Sequence, residues 1–215
     1  MNERLITDGD REVLKKEFET ISNDVDIKLV PSPDKNDEYS AFTLGFLSEL
    51  AELNPRIKLE VNAHDSELAG KENISSYPYI LLGYDKGFHI EFMGSPAGYE
   101  ARTLIDDIIM LGTGESGLST SAKGKIKEVL RKSTMHVFVT PQCPYCPGAV
   151  KLAHAFAFEN KLIRGICVEA TENAEISDRF NVSSVPQTVL NESQKHIYIG
   201  AQPEMKMVSE LLSYL

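Results

Sequence analysis

Two cysteines stand three residues apart in TPQCPYCPGAV, Cys143 and Cys146, and the 215-residue chain holds only one more, Cys167. A strand-like run, MHVFV at 135–139, leads into the pair, and a long apolar helical pattern through Phe158 follows it. At such a junction Cys143 falls at or near the helix N-cap and Cys146 one turn inside, close enough to bridge. The unpaired N–H groups and dipole of the helix start favour a thiolate on Cys143, the form that attacks a disulfide. The spacing therefore predicts thiol–disulfide exchange, with Cys143 forming a mixed disulfide and the more buried Cys146 resolving it. Pro144 is expected at the first helical position, where its missing N–H costs nothing. Pro147 would then delete the first intrahelical bond and kink the helix slightly.

A structural zinc site is the competing reading of two nearby cysteines, and it needs about four ligands. Cys167 stands mid-strand in GICVEA without a companion, and His154 is alone on the apolar face of its helix. The residues favour redox chemistry with no metal and no bound cofactor. Cys167 is then a small core residue, and His154 a packed or half-exposed histidine.

Composition has the profile of a soluble globular protein: 42% of residues are apolar, 25% are charged, and the net charge is −10. That charge opposes nucleic-acid binding through phosphates. It is uneven, because residues 1–115 carry 11 basic and 23 acidic side chains while 116–215 carry 11 and 9. No run approaches the ~20 apolar residues of a membrane span, and MNERLITDGDREVLKKEF does not read as a secretory signal. A cytoplasmic location is the expectation, where a C-x-x-C pair implies chemistry before architecture.

The elements that must position the pair are written twice. LGTGESGLSTS, 111–121, reads as a linker or turn between units 1–115 and 116–215. Before it come a helix with Val13, Leu14, Phe18 and Ile21 on one face, a strand DIKLV, a helix through Phe42, Phe46, Leu47, Leu50 and Leu53, and a strand IKLEV. A short polar helix, a hairpin of YILLGY and FHIEFM, and a helix over 98–111 complete the unit. After the linker the order repeats: a helix with Ile126, Val129 and Leu130, MHVFV, the helix after the cysteines, LIRGICV, a polar helix near 172–181, the strands QTVL and HIYI, and a helix over 203–215. Each unit is α-βαβα-ββα, an α/β class with a four-stranded mixed sheet flanked by helices.

ISSYPYI at 74–80 and VSSVPQT at 182–188 mark the same turn in both units. The strand that opens at Pro186 should pair beside the strand leading to Cys143, placing this turn against the CPYC loop. Proline offers no N–H and no metal ligand. A cis Val185–Pro186 bond would turn the backbone of Val185 outward for a strand-like pairing with substrate, whereas a trans proline would simply begin the strand.

With CPYC at a helix start, the distant VP turn and the duplicated order, the chain resembles the thioredoxin/glutaredoxin superfamily. More narrowly it is similar to the two-unit protein disulfide oxidoreductases of archaea and some thermophilic bacteria. ERLITDGDREVLKKEF, GSPAGYE and FVTPQCPYCPGAVKLAHAFAFEN carry that likeness. It implies two fused thioredoxin folds, exchange with protein disulfides, Cys143 as nucleophile, Cys146 as resolving thiol and a cis Pro186. Pro144, Tyr145, Val185 and Pro186 are the expected substrate contacts. The layout also resembles the N-terminal region of the flavoprotein reductases that serve alkyl hydroperoxide peroxiredoxins. A thioredoxin-reductase-like flavoenzyme as reductant and a peroxiredoxin among the substrates are the partners so implied.

One departure stands out. The family usually carries a second C-x-x-C in the first unit, but residues 1–142 contain no cysteine. Counting back from LSELAEL sets DEYS, 37–40, over the motif, with Asp37 and Ser40 in place of thiols. Three functions remain open at this point: a single-site disulfide reductase or relay, a glutathione-dependent glutaredoxin, and a client-binding module whose cysteines are secondary.

Overall fold

The computed structural model describes residues 4–34 and 37–213. The first unit runs α1 (Asp8–Phe18), β1 (Val25–Val30), α2 (Glu38–Leu53), β2 (Ile57–Val61), α3 (Glu67–Glu72), β3 (Tyr79–Leu82), β4 (Ile90–Met93) and α4 (Tyr99–Thr113). The second runs α5 (Thr120–Ile126), β5 (Ser133–Val139), α6 (Cys146–Glu159), β6 (Ile163–Glu169), α7 (Ala174–Arg179), β7 (Gln187–Leu190), β8 (Ile197–Ile199) and α8 (Glu204–Ser213). The repeated order expected from the sequence is present, and it forms an α/β fold of two tandem thioredoxin-like units.

The two four-stranded sheets do not stay separate. They join as one eight-stranded sheet in the order β2-β1-β3-β4-β6-β5-β7-β8, with β4 and β6 parallel at the seam. β4 and β6 are almost wholly buried, whereas their counterparts β8 and β2 remain partly exposed at the outer edges. Across the seam Arg164 grips the buried Glu91, with Nε and Nη2 at 2.7 and 2.8 Å from its two oxygens. Gly165 lets β6 lie close under α6, since a Cβ there would meet the carbonyl of Ala153.

One sheet face carries the main core, continuous through both units, with Phe18, Leu47, Leu50, Leu104, Ile108, Val150 and Phe156 among its members. The other face holds two smaller clusters, one around Ala69 and Tyr79 and one around Phe138 and Phe180. Because β1, β4, β6 and β5 all point the same way, the starts of α2, α4 and α6 meet at one end of the sheet.

Two expectations shift. In α1 the buried face is Arg11, Leu14 and Phe18, and Val13 is exposed because Arg11 is drawn inward to Glu49 and Glu52. α5 stops at Ile126, so Val129 is still buried but Leu130 is 80% exposed. Within 111–121, residues 114–119 lie outside regular helix, and helix ends flank them. α4 continues to Thr113, the Gly112 carbonyl accepts the N–H groups of Ser22 and Asn23, and Ser119 caps α5.

Candidate active site at the joined edge

β5 delivers the chain to Thr140, and a tight turn follows in which the N–H of Cys143 donates to the Thr140 carbonyl at 3.1 Å. Cys143 and Cys146 are joined as a disulfide, with Cα atoms 5.5 Å apart. Cys146 is fully buried and Cys143 is 8% exposed, so Cys143 is the outer residue of the pair. The turn corrects the expected helix start: α6 begins at Cys146 with Tyr145 as N-cap, and Cys143 lies in the loop before it. Pro144 therefore precedes the helix. Pro147 sits in its first turn, where no intrahelical donor is lost, so the expected kink has no cause. The first turn of α6 holds no acidic residue to oppose a thiolate.

Pro144 and Tyr145 belong to this turn. Tyr145 is 72% exposed beside the disulfide. β7 pairs antiparallel with β5, Gln187 opposite Phe138, which brings the preceding loop to the same end of the sheet. Val185–Pro186 is cis, and so is Tyr77–Pro78 in the first unit. Val185 is half-buried against the core and Pro186 is buried.

The first unit supplies part of the site's frame, which the motifs alone do not reveal. The N–H of Tyr99, at the start of α4, donates to the Pro141 carbonyl at 3.1 Å. Gly98 has φ of +62°, and a Cβ there would collide with the Pro141 backbone. The side chain and N–H of Ser95 both bond Glu172, and Asn173 donates to the Met93 carbonyl at 3.1 Å.

Beneath the loop lies a buried polar group made by both units. Burial pushes the Glu100 carboxyl up to about 7, Thr103 and His154 pull the other way, and Asp107 adds to the rise. Burial also raises Asp107. His154, expected as packed or half-exposed, is fully buried and hydrogen-bonded to Asp107. Cys167 is a free, buried core thiol, held well above its ordinary value by burial and then by Glu100 and Asp107. The missed signal was three polar residues, Glu100, Thr103 and Asp107, at helical spacing on the face of α4 that also carries Leu104, Ile108 and Leu111.

In the first unit the corresponding position is occupied without thiols. Asn54 and Asn160 end α2 and α6, and each donates its amide to a carbonyl on the helix before. Fourteen residues back from each lie Ser40 and Cys146. Ser40 is buried and accepts the N–H of Ser32 at 2.8 Å, while Asp37 caps α2. Lys35 and Asn36 of the stretch before DEYS lie outside the described residues. Among the described residues no three His, Cys, Asp or Glu side chains converge as metal ligands would.

Residues 133–213 match a family model described as Thioredoxin domain. A protein of Archaeoglobus fulgidus described as a probable thioredoxin is 31% identical over 71 residues, which cover 33% of this chain and 76% of that one. The chain belongs to the thioredoxin superfamily. Its two-unit form is that of a protein disulfide oxidoreductase from Aeropyrum pernix, whose crystal structure is 28% identical with a TM-score of 0.87, over 97% of this chain and 93% of that one. The AhpF component of the alkylhydroperoxide reductase of Enterococcus faecalis is 25% identical with a TM-score of 0.85, over 97% of this chain and 100% of the compared chain. This superfamily member is a protein disulfide oxidoreductase with one C-x-x-C redox site, Cys143–Cys146. Among its described residues no helix is long and apolar enough to cross a membrane.

Proposed function

We propose that the protein is a single-site disulfide reductase or electron relay, with catalysis in residues 116–215 and residues 1–115 as a unit without thiol chemistry. The observation that carries this is the exposure difference within one disulfide at the end of β5, with Cys143 8% exposed and Cys146 fully buried. In the reduced enzyme the Cys143 thiolate attacks a client disulfide, forming a mixed disulfide and releasing one client thiolate, which takes up a proton. Cys146, as thiolate, then attacks the Cys143 sulfur, frees the second client thiol and leaves the Cys143–Cys146 bond. Two electrons and two protons restore the dithiol. Pro144, Tyr145, Val185 and Pro186 are the residues assigned to client contact in this reading.

The likeness to AhpF, a component of an alkylhydroperoxide reductase, supports a relay in which a thioredoxin-reductase-like flavoenzyme is the donor and a peroxiredoxin one of the acceptors. A reducing compartment such as the cytosol suits that direction. Insulin reduction with dithiothreitol tests the reading. Wild type accelerates precipitation and Cys143→Ser does not; equal rates discard the proposal. Cys146→Ser should accumulate a client joined to Cys143, visible on a non-reducing gel.

A further inference from the structure

Between the start of α2 and the loop that leads into Cys143 runs a groove of about 570 Å³. Its first-unit wall is Glu38, Tyr39 and Phe42 at the head of α2, and its other end is Pro141 and Gln142, the residues leading directly into Cys143. Tyr39 is 52% exposed, and Phe42 is stacked on Phe46 with ring centroids 6.0 Å apart, which makes a fixed aromatic platform. The lining contains three carboxylates, Glu38, Glu169 and Glu172, and no lysine or arginine. Two of these are pinned by local bonds, Glu169 by Thr171 and Glu172 by Ser95. The thiol-free unit has thus kept a shaped surface facing the residues that lead directly into the working cysteine.

We propose that this groove docks the client polypeptide, selecting a segment that sets an aromatic or aliphatic side chain on Tyr39 and Phe42 and a lysine or arginine among Glu38, Glu169 and Glu172. The inference rests on the oxidoreductase reading and assigns the first unit its share of that activity. Charge complementarity selects the occupant, since an acidic cavity without an internal cation favours a basic segment and repels an acidic one. The crowding is visible at Glu172, whose carboxyl is raised to about 7 by burial and by the neighbouring Glu169 and Asp37.

The test uses the full chain, dithiothreitol as donor, and three disulfides: hydroxyethyl disulfide and two synthetic peptides that differ only in lysine or glutamate beside the cystine. Wild type should turn over the lysine peptide about two- to five-fold faster in kcat/KM than the glutamate peptide, the scale of partly screened ion pairs. High salt should shrink that margin. A Glu38→Gln, Glu172→Gln double variant should erase it, and Tyr39→Ala should lower kcat/KM for both peptides relative to hydroxyethyl disulfide. Equal turnover of the two peptides by wild type, or ratios unmoved in the variants, would overturn the docking groove. Failure of wild type on all three disulfides would instead sink the oxidoreductase reading.

Discussion

Oδ2 of Asp107 and Nδ1 of His154 lie 2.7 Å apart, one on the last helix of the first unit and one on the helix that carries Cys146. Both side chains are buried, so neither has water as an alternative partner. A polar pair in such a position fixes the register of α4 against α6, because any slide leaves two groups unsatisfied in an apolar core.

Asp107→Ala should therefore destabilise the protein by about 1–3 kcal/mol, the penalty for leaving the buried imidazole without its partner. Urea denaturation measures it. In a double-mutant cycle with His154→Phe, the two losses should not add; simple additivity would mean that the pair is not coupled.

Glu100 gives the molecule a pH dependence of definite sign. Its carboxyl releases its proton near 7 in the folded chain, against an ordinary value of 4.5 when unfolded. The folded state thus binds the extra proton between those values, and stability falls as pH rises through that window. Glu100→Gln should remove a loss on the order of 3 kcal/mol between pH 4.5 and 8, while the raised Glu172 keeps its own share. Unfolding curves at both ends of the window decide this; an unchanged slope counts against a buried neutral Glu100.

Gly98 is the close contact between the first unit and the active-site loop. Gly98→Ala puts a methyl group into the Pro141 backbone at a φ of +62°, so the loop must move. The expected result is a loss of about 1–3 kcal/mol together with slower reaction of Cys143 with iodoacetamide. Normal alkylation kinetics in the variant would show that the contact does not position the sulfur.

Cys167 should be silent. Its thiol is buried and held well above its ordinary value, so little thiolate is available to react. After reduction, native alkylation should label Cys143 first and leave Cys167 unmodified until denaturant is added, and Cys167→Ala should retain full insulin-reducing activity. Early labelling of Cys167 by mass spectrometry would refute its placement.

Much of this was written locally. The repeated element order, the strand into Cys143 and the paired proline turns follow from periodicity and turn chemistry, because apolar spacing and proline act within a few residues. The disulfide pair was legible for the same reason: three residues of separation at a helix start suffice to bring two sulfurs together. Cys143, read at or near the cap, lies two residues before it, a shift of the size by which helix ends vary.

Tertiary structure alone decided how the halves combine. That β4 seeks β6, that Glu100 and Asp107 of one unit enter the interior beside His154 and Cys167 of the other, and that the Gly98 loop props Pro141 are all meetings of residues far apart in the chain. Such contacts depend on which buried edges and faces are left over once each unit has formed. The sequence therefore determined the chemistry and the parts, and the joining of two sheets determined the setting in which that chemistry occurs.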